Sequence, residues 1–342
     1  MKVLLRIFIP LGILSFIAFG ISIPILGTNG DWDDSYTVSD SMELTEPFDS
    51  IDIDVGAYDC TVKPYSGSTV KFTVTGDTTH NIRAKISGDT LSVYHSGWKF
   101  GWFRGFDIFS WARSIKVEVL VPEQQYESLT VYTGAGNAVI KDITAKQVDL
   151  GVGAGKLEYS QPDIVTDELR IDVSAGKLIA KNAATKDYSI DVSAGTAEVY
   201  GLTGAGSIDV SAGSAKVYLA ELNGNCDIDV SAGSVTFGVP EYSSAKINCS
   251  KTAGSIDISA FGLNRSANDD EVVTFNGGKY NINADVSAGS IKIVNNDQES
   301  TGEITTALYY SYSTPSAVTT ANYEVTHAGS IYSTSEEAFE AA

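Results

Sequence analysis

Apolar and polar residues alternate in short runs along this chain, and the runs recur at a near-constant interval. Four runs carry the same six residues, Ile-Asp-Val-Ser-Ala-Gly, at Ile171 to Gly176, Ile190 to Gly195, Ile208 to Gly213 and Ile228 to Gly233. Degenerate copies end at Gly136, Gly155, Gly254, Gly289 and Gly329. From Gly136 to Gly254 the glycines are 19, 21, 19, 18, 20 and 21 residues apart, a fixed period of the kind that means stacked repeats. The later gaps of 35 and 40 residues are each near two periods, so they predict coils whose motif has drifted or that carry an insertion.

Counted from the motif glycine as zero, positions minus five and minus three are apolar in the four clear copies, and minus one is Ala. This is the period-two signature of a strand with one buried face. Beyond the glycine the apolar positions are plus two and plus four, as in Leu178/Ala180, Val235/Phe237 and Ile291/Ile293. With minus one and plus two both inward, the alternation slips by one at the glycine, as at a corner or bulge, where Gly would supply unusual backbone dihedrals. The small Ala beside it would sit inside the bend. Each unit reads as strand, Gly corner, strand and a looser return, with corners at Gly136, Gly155, Gly176, Gly195, Gly213, Gly233, Gly254 and Gly289.

A unit of about 20 residues cannot bury its own apolar face, but stacking units one strand spacing of about 4.8 Å apart builds a continuous core. The predicted fold is all-β: a single β-solenoid, β-helix-like, of about ten coils and roughly 45 to 50 Å long, preceded by one transmembrane helix.

Facing outward at minus four are Asp52, Asp172, Asp191, Asp209, Asp229 and Asp285, and at minus two Ser174, Ser193, Ser211, Ser231 and Ser287. Stacked carboxylates repel, so such a ladder is either a well-solvated face or attracts cations. These Asp lack the Gly-Gly-x-Gly-x-Asp nonapeptide of calcium-loaded β-rolls, and no metal ligand is assigned. At plus three, Glu158, Glu198, Lys216, Asp257 and Lys292 mix signs in the manner of ordinary surface pairing.

Composition narrows the partners. A formal net charge of −20 with 23 Lys+Arg leaves no basic stripe to neutralise phosphates, which argues against nucleic acid. Ile7 to Leu26 is an uncharged stretch of 20 residues behind Lys2 and Arg6 and ahead of Asp31, Asp33 and Asp34. That length crosses a bilayer once, with a cytoplasmic N-terminus and everything after about residue 30 outside. The competing reading is a signal peptide cleaved near Ala18-Phe19-Gly20. Three cysteines make no disulfide framework for an exported domain; Cys226 and Cys249 read as small inward hydrophobes, and Cys60 stands alone.

The expected organisation is an anchor or signal segment at 1–30, an acidic linker at 31–47, irregular β coils or a cap at 48–128, regular coils at 129–333 and a disordered acidic tail at 334–342. Within the first β region, residues 98–111 hold three of the four Trp, at Trp98, Trp102 and Trp111, and four of the 13 Phe. Such a segment either stacks on carbohydrate or enters a membrane interface, or folds over the solenoid wall or its end.

The strand Ile115 to Pro122, the run Leu129-Thr130-Val131-Tyr132-Thr133-Gly134-Ala135-Gly136 and the serial Asp-Val-Ser-Ala-Gly units resemble a bacterial adhesin-like family of repeat β-solenoids, a domain of unknown function. The resemblance covers about residues 48–333. It implies a cell-envelope location behind one N-terminal membrane segment and a non-enzymatic role, with no catalytic motif to carry over. Some relatives are associated with envelope-stress loci, which implies an interaction scaffold or sensor as the alternative.

β-Helices also carry polysaccharide lyases and hydrolases that use clustered carboxylates. Those sites need acids and bases converging at a few irregular positions, whereas these Asp repeat from coil to coil. His80, His95 and His327 are scattered, with no nucleophile–base arrangement or metal spacing, so no catalytic residue or cofactor is assigned. The function expected is ligand binding or adhesion by a membrane-anchored surface solenoid. Its candidate binding residues are Asp172, Asp191, Asp209, Asp229, Trp98, Trp102 and Trp111, and its partners are the membrane and an envelope polymer, matrix or protein.

Overall fold

The computed structural model describes residues 39–76, 82–95, 115–162 and 164–296, with two short strands at 325–327 and 330–332. The apolar stretch at 7–26, the aromatic segment at 98–111 and the tail at 334–342 lie outside the described residues.

Each coil gives one strand to each of two long sheets, because each half-coil keeps every second residue apolar. The first sheet takes β2 (Ser50–Val55), β6 (Thr90–His95), β8 (Gln125–Thr133), β10 (Thr144–Val152), β12 (Thr166–Val173), β14 (Thr185–Val192), β16 (Ala205–Val210), β18 (Cys226–Val230), β20 (Ala245–Lys251) and β24 (Tyr280–Val286). The second takes β3 (Asp59–Tyr65), β7 (Lys116–Pro122), β9 (Asn137–Lys141), β11 (Lys156–Ser160), β13 (Lys177–Lys181), β15 (Thr196–Leu202), β17 (Ser214–Leu219), β19 (Ser234–Val239), β21 (Ser255–Ser259) and β25 (Ser290–Asn295). All of these neighbours pair in parallel, so the described chain is an all-β solenoid whose ten coils match the number its length and period predict.

Spatial order departs from chain order at both ends. The first sheet runs β6-β2-β8 at one end and β18-β24-β20 at the other, and the second runs β7-β3-β9 and β19-β25-β21. The coil carrying Gly289 is therefore wedged between those carrying Gly233 and Gly254, and the intervening residues 260–279 are an insertion rather than a drifted coil. That insertion forms β22 (Arg265–Ser266) and β23 (Glu271–Phe275), which pair antiparallel with β21 and β20 and close that end. At the other end β4 (Val70–Thr75) and β5 (Ile82–Ser87) pair antiparallel with β7 and β6, and β1 (Ser39–Leu44) adds to β4. Antiparallel caps of this kind cover the open edges of the outermost parallel strands. Near Gly329, β26 (Val325–His327) and β27 (Ser330–Tyr332) pair antiparallel with each other in a separate two-stranded sheet, where the periodicity predicts one more coil.

The core lies between the two sheets. Leu169, Ile171 and Val173 from β12 face Leu178 and Ala180 from β13, all fully buried, and equivalent columns continue through the stack. Cys60, Cys226 and Cys249 are buried free thiols within it, as inward hydrophobes should be.

The corner differs from its sequence reading in two ways. Ala175, Ala194, Ala212 and Ala232 are exposed, because the chain already bends at the preceding serine and turns the methyl outward. The motif glycines also do not adopt positive φ; the glycines that do, such as Gly201, Gly204 and Gly262, lie elsewhere. Their requirement is axial. The corner is hydrogen-bonded from coil to coil, with Ala194 N–H donating to Ser174 O at 2.7 Å and Thr196 N–H to Gly176 O at 2.9 Å. A Cβ on Gly195 would stand 2.6 Å from Val173 Cγ1 and closer still to Gly176 O. The opposite corner holds buried polar groups: Thr185 Oγ1–H donates to Asp187 O at 2.9 Å and Thr203 Oγ1–H to Thr185 O at 2.8 Å. There Asp142 and Asn182 take the left-handed conformation at φ 54°.

Candidate functional site

The outward side chains of the first sheet form columns whose members are fixed by strand register. Asp172, Asp191, Asp209, Asp229 and Asp285 stand on five successive strands, directly opposite one another. The wedged coil is what makes Asp285 the neighbour of Asp229, and Ser250 follows it. Asp52 is not in this column. Asp54 pairs with Tyr132, which pairs with Gly151 and then Asp172. The first coil is therefore shifted by two residues from its motif alignment. Tyr58, not Gly56, stands at its corner, where its carbonyl oxygen meets Asn137 N–H at 3.2 Å. Asp52 joins an adjoining column that runs Thr130, Asp149, Arg170, Ser189, Ser207, Asp227 and Asn283.

Carboxylates one strand apart shift each other's titration. The Asp172 carboxyl is held above the usual range by partial burial and then by Asp191 and Asp149, and Asp209 by partial burial and then by Asp191 and Asp229. Asp229 is raised by partial burial and then by Asp285 and Asp227. Arg170 stands beside the ladder, but its guanidinium is bonded to Glu168 at 2.6 Å. Among the described residues no group of three or more His, Cys, Asp or Glu is arranged to hold a metal ion.

Tyr132 lies across the next strand, where glycines leave it room. A Cβ on Gly151 would fall 2.9 Å from its ring and one on Gly153 3.0 Å from its hydroxyl. An aromatic ring laid over a cross-strand glycine restores packing that the missing side chain forfeits, which is reason enough for a tyrosine that is 49% exposed.

The second sheet carries the opposite charge. From β9 to β25 its outward positions include Lys141, Lys156, Lys177, Lys181, Lys216 and Lys292, against Glu158, Glu198 and, opposite Lys292, Asp257. Lys177 pairs with Glu198 at 3.0 Å and Lys156 pairs with Glu158, whose carboxyl is lowered chiefly by that hydrogen bond. On the same face Tyr200 and Tyr218 stack at 5.3 Å with an interplanar angle of 6°. The plus-three column does mix signs, but the plus-one and plus-five columns add lysines without acids. Charge is thus segregated, acidic on the first sheet and basic on the second. The sequence contains that signal at Lys141, Lys156, Lys177 and Lys181, which become one face only once the corner is placed.

Trp98, Trp102 and Trp111 lie outside the described residues. A hollow of about 360 Å³ sits at a return corner, lined in part by Pro64, Pro122, Tyr126, Asp142 and Ile143. Inside the core, Gly206 leaves space for the Tyr188 ring, whose buried hydroxyl finds no hydrogen-bond partner among the described residues. Burial pushes the Cys226 thiol up to about 12, so it is an inert packing group.

The sequence profile of Toastrack DUF4097 matches residues 48–294. The chain belongs to the Toastrack DUF4097 family. The match ends where the described Toastrack coils end, with β25. Among solved structures, a candidate adhesin from Bacteroides fragilis is 12% identical, covering 76% of this chain and 98% of that one, with a TM-score of 0.45. A candidate lipid binding protein from Parabacteroides distasonis is 17% identical over the same shares, with a TM-score of 0.49. A candidate cell adhesion protein from Clostridium sporogenes is 12% identical, covering 76% and 100%, with a TM-score of 0.25. No curated protein matches the chain.

Proposed function

We propose that this chain is an exported, membrane-anchored β-solenoid that binds or adheres to a ligand at the bacterial envelope through its extended outer faces, without catalysis. The observation that carries the reading is serial identity: Asp172, Asp191, Asp209, Asp229 and Asp285 occupy one column in like environments. A catalytic centre needs a few carboxylates made different from their neighbours. Repeats instead build long surfaces whose affinity is the sum of many small contacts. The uncharged stretch from Ile7 to Leu26 behind Lys2 and Arg6 supports the anchor and the outward display.

The test is an attachment assay on cells displaying the chain with Asp191, Asp209 and Asp229 all changed to Asn. Attachment to cells, wall polymers or matrix should weaken while the β circular dichroism signal stays intact. Unchanged attachment would remove the ladder from the binding surface. Fractionation of the same cells tests the anchor, which requires the full chain in the membrane and none in the medium.

A further inference from the structure

The Asp-Val-Ser-Ala-Gly corner loses both of its outward polar side chains in two neighbouring coils. Where later coils carry Asp172/Ser174 and Asp191/Ser193, the coil of β10 has Gly151/Gly153 and that of β8 has Tyr132/Gly134. Strand register sets Asp54, Tyr132, Gly151 and Asp172 in one row, so the two aspartates stand three strand spacings, about 14 Å, apart. Between them the row is a shallow bay floored by backbone and holding one side chain, Tyr132. We propose that this bay binds a neutral polysaccharide, with one pyranose ring stacked on Tyr132 and its hydroxyls donating to the aspartates at the rim. The inference rests on the adhesive reading of the first sheet's outer face and names the ligand chemistry of that face.

The pose of Tyr132 makes it a platform. The three atoms nearest a Cβ on Gly151 would all belong to its ring, the closest at 2.9 Å, and a Cβ on Gly153 would be 3.0 Å from its hydroxyl. The ring therefore lies flat along β10 with its inner face on the glycine backbone. Cross-strand packing accounts for that inner face alone, and the outer face stays in water. Gly134 and Gly153 are also held as glycine by backbone, through Gly56 O at 2.8 Å and Gly134 O at 2.9 Å. At Gly151 only the ring is that close, so this coil gives up a ladder aspartate to seat the tyrosine.

The surroundings select the ligand. Asp172 stands one strand beyond Gly151, and Asp149 lies two residues before it, about 7 Å along β10; both are exposed. Arg170 is opposite Asp149 but bonded to Glu168 at 2.6 Å, so the rim is acidic and accepts hydrogen bonds. A ligand seated there needs a flat apolar face and donors around its edge. A pyranose presents C–H bonds on its face and hydroxyls at its edge, which matches an aromatic ring bordered by carboxylates. Phosphate or uronate polymers would be repelled by Asp54, Asp149 and Asp172. An extended peptide would call for an open strand edge, and β8 and β10 are paired on both sides.

The experiment is titration calorimetry of the full-length chain, in a detergent without a sugar headgroup, against cellotetraose, chitotetraose and, as the anionic control, tetragalacturonate. At least one neutral tetrasaccharide should bind, and tetragalacturonate should bind at least about tenfold more weakly. Tyr132→Ala should weaken binding of the neutral sugar at least about tenfold, and Tyr132→Trp should preserve it. Gly151→Asp restores the ladder residue and lifts the ring, so it should cause the same loss. In the wild-type chain the bound sugar should protect Tyr132 from nitration by tetranitromethane, a readout that needs no variant to fold. No binding of either neutral sugar, binding unchanged by Tyr132→Ala or Gly151→Asp, tighter binding of tetragalacturonate, or no protection of Tyr132 would overturn the proposal. Titration reads the bay alone, whereas attachment to cells reads the whole face. Attachment without sugar binding would therefore sink the bay and spare the adhesive reading, and sugar binding without attachment would do the reverse.

Discussion

A Cβ on Gly195 would fall within 3.0 Å of the carbonyl oxygen of Gly176 in the coil beneath it. Both partners are backbone atoms of a hydrogen-bonded ladder, so neither can move aside. The same contact recurs from Gly155 to Gly176 and from Gly195 to Gly213, which is why the residue recurs with the period of the coil.

Substitution at this corner should therefore behave differently from substitution at a left-handed glycine. Gly195→Ala should cost about 2 to 3 kcal/mol by overpacking, and Gly195→Asn should be no milder. Gly262, at φ 77° with nothing within 4 Å of a Cβ, should lose about 1 kcal/mol on change to Ala and less on change to Asn. Urea unfolding of the four variants checks this. Rescue of position 195 by Asn would mean that conformation, not close approach, selects the glycine.

The ladder should destabilise the fold at neutral pH. Asp172, Asp209 and Asp229 have carboxyls raised in the folded state, so the folded chain binds protons that the unfolded chain does not. Stability from these groups rises as pH falls through the raised folded values and is lowest when all are ionised. Changing the three to Asn should add about 1 kcal/mol at pH 7 after solvent screening. The gain in Tm should shrink as pH drops toward the ordinary carboxylate range. A gain that grows on acidification would contradict the assignment. Glu271 provides the opposite case in wild type: held near about 2, chiefly by Arg265, it contributes stability that is lost as pH falls.

Much of this was legible in the residues. Ile171/Val173 alternation, the 18 to 21 residue period and the glycine corners were enough for the solenoid, its coil number and the outward Asp column. The order of coils was not, because parallel strands with the same apolar columns pair equally well in several orders. One signal did exist. Lys251 occupies the inward column held by Val173, Val192, Val210 and Val230, and a lysine is tolerable there only in an end coil. It escapes by donating to Ala267 O at 2.6 Å. The shift of Asp52 was hidden because Gly56 resembles a corner that Tyr58 occupies.

The wedged coil makes truncation informative. Ending the chain after Gly278 removes β24 and β25, the strands on which β20 and β21 pair in parallel. Hydrogen exchange in residues 245–275 should then become fast, while β8 to β17 remain protected. Retained protection in β20 would mean that it can pair with β18 directly and that the wedge is dispensable.

The most direct measurement for the account as a whole is removal of a single coil. Deleting the 19 residues 177–195 joins Gly176 to Thr196, corner to strand, and takes one aspartate from the ladder. If the coils are interchangeable units whose outer faces bind additively, the shortened chain should keep its β circular dichroism signal and cooperative unfolding, with attachment reduced but present. Attachment that is untouched, or abolished with the fold intact, would contradict binding by the repeated faces.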